Sequence, residues 1–209
     1  LLSLIISIII ALPIGVFAAS NNNKISEKIV RILSLFGPSM PSFFIALILM
    51  YFACYKFRLL PVSNDGPSAI ILPTITMVVG IASKFIRQIK SIVLEELNKE
   101  YIIALKVRGV SKNQILFKHV LKGCALPIVT MLGLSFGSLL GGATIVETVF
   151  MWPGIGKYAV EAISSRDYPV VQGYIVWMSL IFLLINYLTD KSYYLFDPRL
   201  RRERGENSK

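Results

Sequence analysis

The chain has 209 residues, of which 55% are hydrophobic and only 16% are charged, and its mean hydropathy is +0.66. An ordinary soluble domain carries roughly 25% charged residues. The charges here are clustered, and the long uncharged stretches between them approach the roughly 17–25 residues that cross a bilayer as a helix. These features exclude an ordinary soluble domain and predict a polytopic membrane protein of the all-α class.

The first predicted element is the uncharged apolar run of residues 1–19, which begins with Leu1. A signal peptide would show a basic segment before the apolar run and a small-residue cleavage site after it. The run has neither feature. We therefore expect a true membrane span in a single transmembrane domain, 1–209, that is incomplete at its N-terminus.

Four further uncharged runs follow, and with the first they predict a transmembrane bundle of five spans. Their approximate ranges are 32–54, 69–83, 123–146 and 168–189, and the helix that contains 69–83 is expected to extend to Lys90, which gives a span of about 69–90. Gly37, Pro38 and Pro41 interrupt the second span, because proline removes a backbone donor and clashes with the preceding turn. The interruption serves either helix packing or the lining of a pathway. In the fourth span, Gly133, Gly137 and Gly141 form a smooth stripe on which another helix can pack closely.

The distribution of Lys and Arg predicts the orientation of the spans. The connections 20–31 and 84–122 and the tail 190–209 hold 18 of these residues, and the connections 55–68 and 147–167 hold 4. Because basic residues are retained in the cytoplasm, we expect the first group inside the cell and the second outside. The net charge of +10 is therefore a topology signal in a multi-pass cell-membrane protein, and it does not indicate nucleic-acid binding.

The cytoplasmic region 91–122 predicts two helices joined at Arg108 and Gly109. The first helix has an apolar face formed by Leu94, Leu97, Tyr101 and Ala104. Its remaining surface is occupied by Glu95, Glu96, Lys99 and Glu100. Gly109 permits the sharp turn, and Ser111 with Gln114 forms a capping-box pattern that begins the second helix. From the residues alone, this hairpin is either a solvated surface or a site for a partner.

The outer connection, 147–167, contains several aromatic residues and a Pro153-Gly154 turn. Amphipathic rings favour the bilayer surface, so we expect a short helix from about 155 to 164 near that surface. A structural cap on the spans would have the same sequence pattern.

The chain lacks the usual marks of an enzyme or a gradient-driven carrier. The five predicted spans contain no ionisable side chain in their uncharged cores, whereas ion-coupled carriers commonly use one. A phosphate-binding loop of the Gly-Lys-Ser/Thr type is missing, and His119 is the only histidine. Cys54 and Cys124 show no metal-ligand spacing. We therefore expect no catalytic or metal site, and energy for any transport must come from another protein.

Two long strings resemble the permease subunits of ABC importers in their peptide and nickel branch. They are EYIIALKVRGVSKNQILFKHVLKGCALPIVT, starting at Glu100, and GGATIVETVFMWPGIGKYAVEAISSRDYPVVQG, starting at Gly141. The shorter strings PSMPSFF, LLPVS and FDPRLR, at 38–44, 59–63 and 196–201, are also similar to the family. In the more general family motif, Glu-Ala-Ala would stand where this chain has Ile103, Ala104 and Leu105.

The resemblance implies a type I importer permease fold with a cytoplasmic coupling helix that docks on an ATP-hydrolysing subunit. The implied coupling residues are Tyr101, Ala104, Lys106, Arg108, Gly109 and Ser111. Those implied near the docking face of an extracellular binding protein are Trp152, Pro153 and Gly154. The other implied partners are a second, homologous permease and the membrane lipid, and ATP and Mg²⁺ would bind to the ATPase and not to this chain.

The function implied is the permease subunit of an importer for peptides or for nickel and related metal chelates. The alternative is a gradient-driven secondary carrier or a passive channel. The missing intramembrane charges and the long cytoplasmic hairpin favour the importer, and the sequence leaves the substrate open.

Overall fold

The computed structural model describes residues 1–21, 24–60 and 66–196, which are helical apart from short connections. The helices are α1 (Leu2–Ser20), α2 (Lys24–Ser39), α3 (Ser42–Met50), α4 (Ile71–Leu97), α5 (Glu100–Val107), α6 (Lys112–Gln114), α7 (Leu121–Val149), α8 (Ile155–Ser164) and α9 (Tyr168–Phe196). A π-helical turn, Tyr51–Lys56, continues α3, and another, Ile115–Val120, joins α6 to α7. The all-α class is confirmed. Positions 61–63 of LLPVS and 197–201 of FDPRLR lie outside the described residues.

Within the described ranges, four helical segments are long and apolar enough to cross a membrane. They are Leu2–Ser20, Ser68–Leu97, Lys112–Gly137 and Tyr168–Ser192. Val30–Ser39 and Ser42–Lys56 meet the same criterion together and are bent by 101° relative to one another. The bend occurs where the sequence predicts an interruption, because Pro41 precedes α3 with an extended ψ of 142°.

The chain divides into two compact units, and the boundaries between them fall within α4, α7 and α9. The first unit comprises residues 1–90 and 139–174. Within it, α1 and α2 approach α4 at glycines. A Cβ atom built on Gly15 would lie 2.8 Å from Ile89 Cγ2, and one built on Gly37 would lie 2.5 Å from Ser83 Oγ. Glycine is therefore needed for both close approaches.

The same unit has a small apolar core that joins the ends of several helices. Its buried members are Ala46, Cys54, Leu72, Val146 and Phe150. They come from α3, the turn that follows it, α4, α7 and the residue after α7. This cluster anchors the segment that leads into α8.

The second unit comprises residues 91–138 and 175–209, and it contains α5 and the turn after it. The prediction of one continuous helix through Leu94 and Ala104 is wrong, because α4 ends at Leu97 and Lys99 is extended, with ψ 146°. Two hydrogen bonds between residues three apart close the break, from Asn98 N to Glu95 O and from Lys99 N to Glu96 O, each 3.2 Å. The prediction that Glu96 lies on the polar surface of this helix is also wrong, because Glu96 is buried.

Candidate coupling surface and outer helix

Helix α5 is held by one fully buried side chain, Ile102, while most of its other residues are exposed. It packs against the π-helical turn Ile115–Val120, in which Ile115, Leu116 and Val120 are buried. A helix of eight residues is too short to be stable alone. Its position therefore depends on these contacts.

The turn after α5 is a Schellman motif with Gly109 in the left-handed conformation. The φ angle of Gly109 is +76°. Gly109 N donates to Lys106 O at 3.0 Å, and Val110 N donates to Leu105 O at 3.2 Å, which is the bond pair of this motif. A Cβ atom built on Gly109 would meet no atom within 4 Å. Glycine is thus required here by the backbone angle and not by a lack of space.

Ser111 begins the next helix as the sequence predicts. Its side chain accepts a hydrogen bond from Gln114 N at 3.4 Å. From Lys112 onward the chain is helical through α6, the π-helical turn and α7 to Val149. Displacement of the turn at Gly109 would therefore act directly on the start of a candidate span.

All six residues of the predicted coupling set are exposed, namely Tyr101, Ala104, Lys106, Arg108, Gly109 and Ser111. Three of them also make bonds within the chain. Lys106 Nζ donates to Leu97 O at 3.5 Å, Ser111 caps α6, and the Tyr101 hydroxyl donates to the Glu96 carboxylate. These three side chains are therefore partly committed to holding the hairpin together.

Exposed apolar side chains outside the predicted coupling set also lie on this hairpin. Val107 is 84% exposed, Phe117 is 67% exposed, and Ile103 is 50% exposed. Ile103 and Val107 are four residues apart on α5, so they share one helix face. That spacing could have identified them in the sequence. With Arg108 and Lys118 exposed beside them, they give the hairpin an apolar surface with a basic border.

Glu96 lies at the base of the hairpin, in contact with three elements. Lys99 Nζ lies 2.6 Å from Glu96 Oε2, and Tyr101 donates its hydrogen bond to Oε1. The pKa of Lys99 is raised by its bond to this carboxylate. The pKa of Tyr101 is raised by partial burial of its hydroxyl and by the same carboxylate. Both groups therefore hold their protons throughout the neutral pH range.

Helix α8 spans Ile155–Ser164, which confirms the short helix predicted between 147 and 167. Its first turn is capped by Glu147 from the end of α7, whose Oε2 accepts from Lys157 N at 3.0 Å. A carboxylate is favourable there because the N-terminus of a helix carries partial positive charge. Gly154 and Gly156 leave the space for it, since a Cβ atom on Gly156 would lie 2.8 Å from Glu147 Oε2.

The predicted outer residues lie at the start of this capped helix. Trp152 is half-buried, and its backbone N–H donates to the backbone oxygen of Glu147 at 2.8 Å, whereas Pro153 is exposed. A shallow depression of about 380 Å³ lies beside them, lined by Pro153, Gly154, Ile155, Lys157, Tyr158 and Glu161. The sequence does not indicate this capping role of Glu147, because its partner is the backbone N–H of Lys157.

The other predicted residues lie within the long helices. Pro38 is in the last turn of α2, and Pro41 is the residue before α3. In the second unit, Gly137 approaches α9 so closely that a Cβ atom would lie 3.0 Å from Phe182 Cε2, and Gly133 similarly faces Thr189. Gly141 lies in α7. Within the described part of the chain, no group of three or more His, Cys, Asp or Glu residues could hold a metal ion.

Comparison with known proteins gives one family match and a set of similar relatives. The family model described as "Binding-protein-dependent transport system inner membrane component" matches residues 11–202. Over 203 residues, the chain is 36% identical to the nickel import system permease protein NikB of Staphylococcus aureus strains bovine RF122 / ET3-1 and MRSA252. These alignments cover 97% of this chain and 61% of each relative. The chain therefore spans 61% of the length of these curated relatives.

A solved structure has the same fold. A chain from inward-facing conformations of the MetNI methionine ABC transporter superposes with a TM-score of 0.73 at 18% identity. The match covers 93% of this chain and 89% of that chain. At this identity, the similarity establishes the arrangement of helices and not the substrate.

Proposed function

Because this chain belongs to the family of binding-protein-dependent transport system inner membrane components, we propose that it forms the membrane-spanning part of an ATP-driven importer. The observation that carries the proposal is the exposed hairpin between the candidate spans Ser68–Leu97 and Lys112–Gly137. Its most exposed large apolar residue, Val107, sits at the end of α5 beside Arg108. An exposed apolar surface with a polar border is typical of a protein-docking site.

In this proposal the partner that docks on the hairpin is an ATPase, which binds ATP and Mg²⁺. Closure of the ATPase would push on α5 and the turn at Gly109. That turn leads without a helix break into α7, and α5 follows α4 after two residues. Motion of the docked helix is therefore delivered to two membrane helices, which would open the pathway alternately to each side.

Two further partners follow from the same proposal. A second permease of the same family would complete the pathway, since a single chain with five candidate spans presents most of α9 to its surroundings. An extracellular binding protein would dock near α8, where Trp152, Pro153 and Gly154 begin the outer helix. The cap from Glu147 to Lys157 would keep that docking element in a defined position.

We propose nickel, as a complex with a small chelating molecule, as the first substrate to test, and short peptides as the second. The support for nickel is the 36% identity to permeases named for nickel import. Recognition by the binding protein would explain why the permease needs no ligand cluster of its own.

The test is transport by the full-length protein in proteoliposomes with its ATPase, second permease and binding protein. Accumulation of radioactive nickel that requires ATP and the binding protein is the expected result. Peptide uptake without nickel uptake would support the importer and reassign its substrate. Uptake that continues without the ATPase and stops when an ion gradient is dissipated would overturn the importer in favour of a secondary carrier.

A further inference from the structure

Among the residues whose burial the structure describes, Glu96 is the only charged residue in the buried class, with 5% of its surface exposed. Removing a carboxylate from water is costly unless hydrogen bonds and an opposite charge replace the lost hydration. Glu96 has both kinds of partner, and they come from different elements. Its position at the junction of α4 and α5 therefore calls for an explanation beyond helix propensity.

Three elements meet at this carboxylate. Glu96 is in the last turn of α4, and its Oε1 accepts a hydrogen bond from the Tyr101 hydroxyl of α5. Its Oε2 lies 2.6 Å from Nζ of Lys99, the residue that precedes α5. The carboxylate also fills the space beside Gly123 of α7, where a Cβ atom would lie 2.5 Å from Glu96 Cδ.

The junction that Glu96 spans would otherwise be a flexible joint. Only Asn98 and Lys99 separate α4 from α5. Their backbone N–H groups donate to the carbonyl oxygens of Glu95 and Glu96 in α4. An eight-residue helix after such a joint could pivot when pushed. A carboxylate that bonds to α5 while lying on the α7 backbone prevents this pivot, because its two charge-assisted bonds have fixed directions.

We propose that Glu96 is a positioning residue for force transmission: with Tyr101, Lys99 and Gly123 it forms a clamp that makes α5 move together with α4 and α7. This inference depends on the proposed importer function, in which α5 receives the push of the ATPase. Glu96 itself is buried, whereas the residues of the predicted coupling set are exposed. Loss of its carboxylate should therefore leave the partner bound, while less of the partner's motion reaches α4 and α7.

The functional test compares Glu96→Gln and Gly123→Ala with the control Gly173→Ala in the reconstituted importer. A Cβ atom on Gly173 meets nothing within 4 Å, so this control adds the same methyl group to a helix without a clash. We expect the substrate transported per ATP hydrolysed to fall about fivefold or more in the two clamp variants. ATPase co-purification should stay near wild type in all three.

Two outcomes contradict the clamp. One is an unchanged transport-to-ATP ratio in Glu96→Gln, and the other is an equal loss of transport and hydrolysis that follows the loss of folded protein. If the wild type itself shows no ATP-dependent uptake, the proposed function fails, and the clamp must then be judged by its geometry.

A distance measurement provides that independent judgement. Spin labels at Ala104 on α5 and Lys122 on α7, both exposed, should give a narrow distance distribution that broadens in Glu96→Gln. A distribution unchanged by the substitution would overturn the clamp whatever the protein transports.

A double variant tests the contact between the helices. If the carboxylate occupies the space beside Gly123, Glu96→Ala with Gly123→Ala should be no worse than Glu96→Ala alone. Additive losses would show that the two residues act separately and would overturn the clamp.

Discussion

Single backbone angles and single protons define the behaviour of the hairpin between α4 and α7. Gly109 supplies a positive φ angle to end α5, and Tyr101 keeps its phenolic proton beside the Glu96 carboxylate. The backbone angle at Gly109 can be tested by substitution, and the proton of Tyr101 can be tested by the pH dependence of stability.

Gly109→Val should leave membrane expression near wild type while uptake collapses. A β-branched residue at φ +76° costs of order 1–3 kcal/mol in backbone strain, which is relieved by moving the turn. The turn lies outside the candidate spans, so the spans should still insert. Uptake and co-purification of the ATPase are the measurements.

Gly109→Asn is the matched control for this prediction, because Asn tolerates the left-handed conformation and the site has space for its side chain. It should retain most of the uptake. Normal transport by Gly109→Val, or failure caused only by degradation, would show that the turn does not position a partner.

Tyr101 should make stability fall as pH rises above about 10, the value at which tyrosine titrates in an unfolded chain. Burial of its hydroxyl and its bond to Glu96 raise its pKa in the folded protein. The folded state therefore keeps the proton longer than the unfolded chain, and this contribution is complete below pH 10 and lost above it. The alkaline loss of thermal stability should be smaller in Tyr101→Phe.

Tyr158→Phe, on the exposed face of α8, serves as the control in the same alkaline melting series. The charged and titratable groups that act on Tyr101 are Glu96, which accepts its hydrogen bond, and Cys124. Identical pH dependence in Tyr101→Phe and wild type would contradict the prediction.

At the scale of elements, the two short helices α5 and α8 are each attached to a long helix by a carboxylate that lies beside glycine. Glu96 of α4 lies beside Gly123 of α7 and accepts a hydrogen bond from Tyr101 of α5. Glu147 of α7 lies beside Gly154 and Gly156 and accepts a hydrogen bond from the first turn of α8. In both cases the small residue admits the carboxylate, and the carboxylate satisfies groups of the short helix. Short helices are marginal alone, so these attachments determine where they lie.

Gly156→Ala should destabilise the attachment of α8 by about 1–3 kcal/mol. The new Cβ atom would lie 2.8 Å from Glu147 Oε2 and 2.8 Å from the Thr144 Cα atom, and this second contact is with backbone that cannot rotate away. The thermal unfolding midpoint in detergent should fall, and proteolysis near 150–156 should increase.

Gly142→Ala is the control for α8, because a Cβ atom there meets nothing within 4 Å and Gly142 lies in helix α7. Alanine should be neutral or slightly stabilising at that position, since glycine is a poor helix former. Equal destabilisation by both substitutions would show that the cap does not hold α8.

At the scale of the whole molecule, the orientation in the membrane is the main prediction. The excess of Lys and Arg places 84–122 in the cytoplasm and 147–167 outside. An impermeant thiol reagent applied to intact cells should label a cysteine at Ser164 and spare one at Asn113. Both positions are exposed, and the native cysteines Cys54 and Cys124 are buried, so background labelling should be low. The opposite labelling pattern would invert the topology.

The sequence by itself determined the features that depend on neighbouring residues. Hydropathy identified the apolar runs that became long helices, and the prolines located the break before α3. Gly109 and Ser111 ended one helix and began the next, and the limits of α8 were correct. These features are local because backbone angles and the cost of burying polar groups in lipid act over a few residues.

Only the tertiary structure decided where the carboxylates go. Nothing near Glu96 in the chain indicates that it turns inward, because the space it fills is beside Gly123 on a later helix. The break at Asn98 and Lys99 was missed for the same reason. The sequence carries no signal for the role of Glu147, because its partner is the backbone N–H of Lys157. A buried charge is stable only where distant groups converge on it, and that convergence is a property of the folded chain.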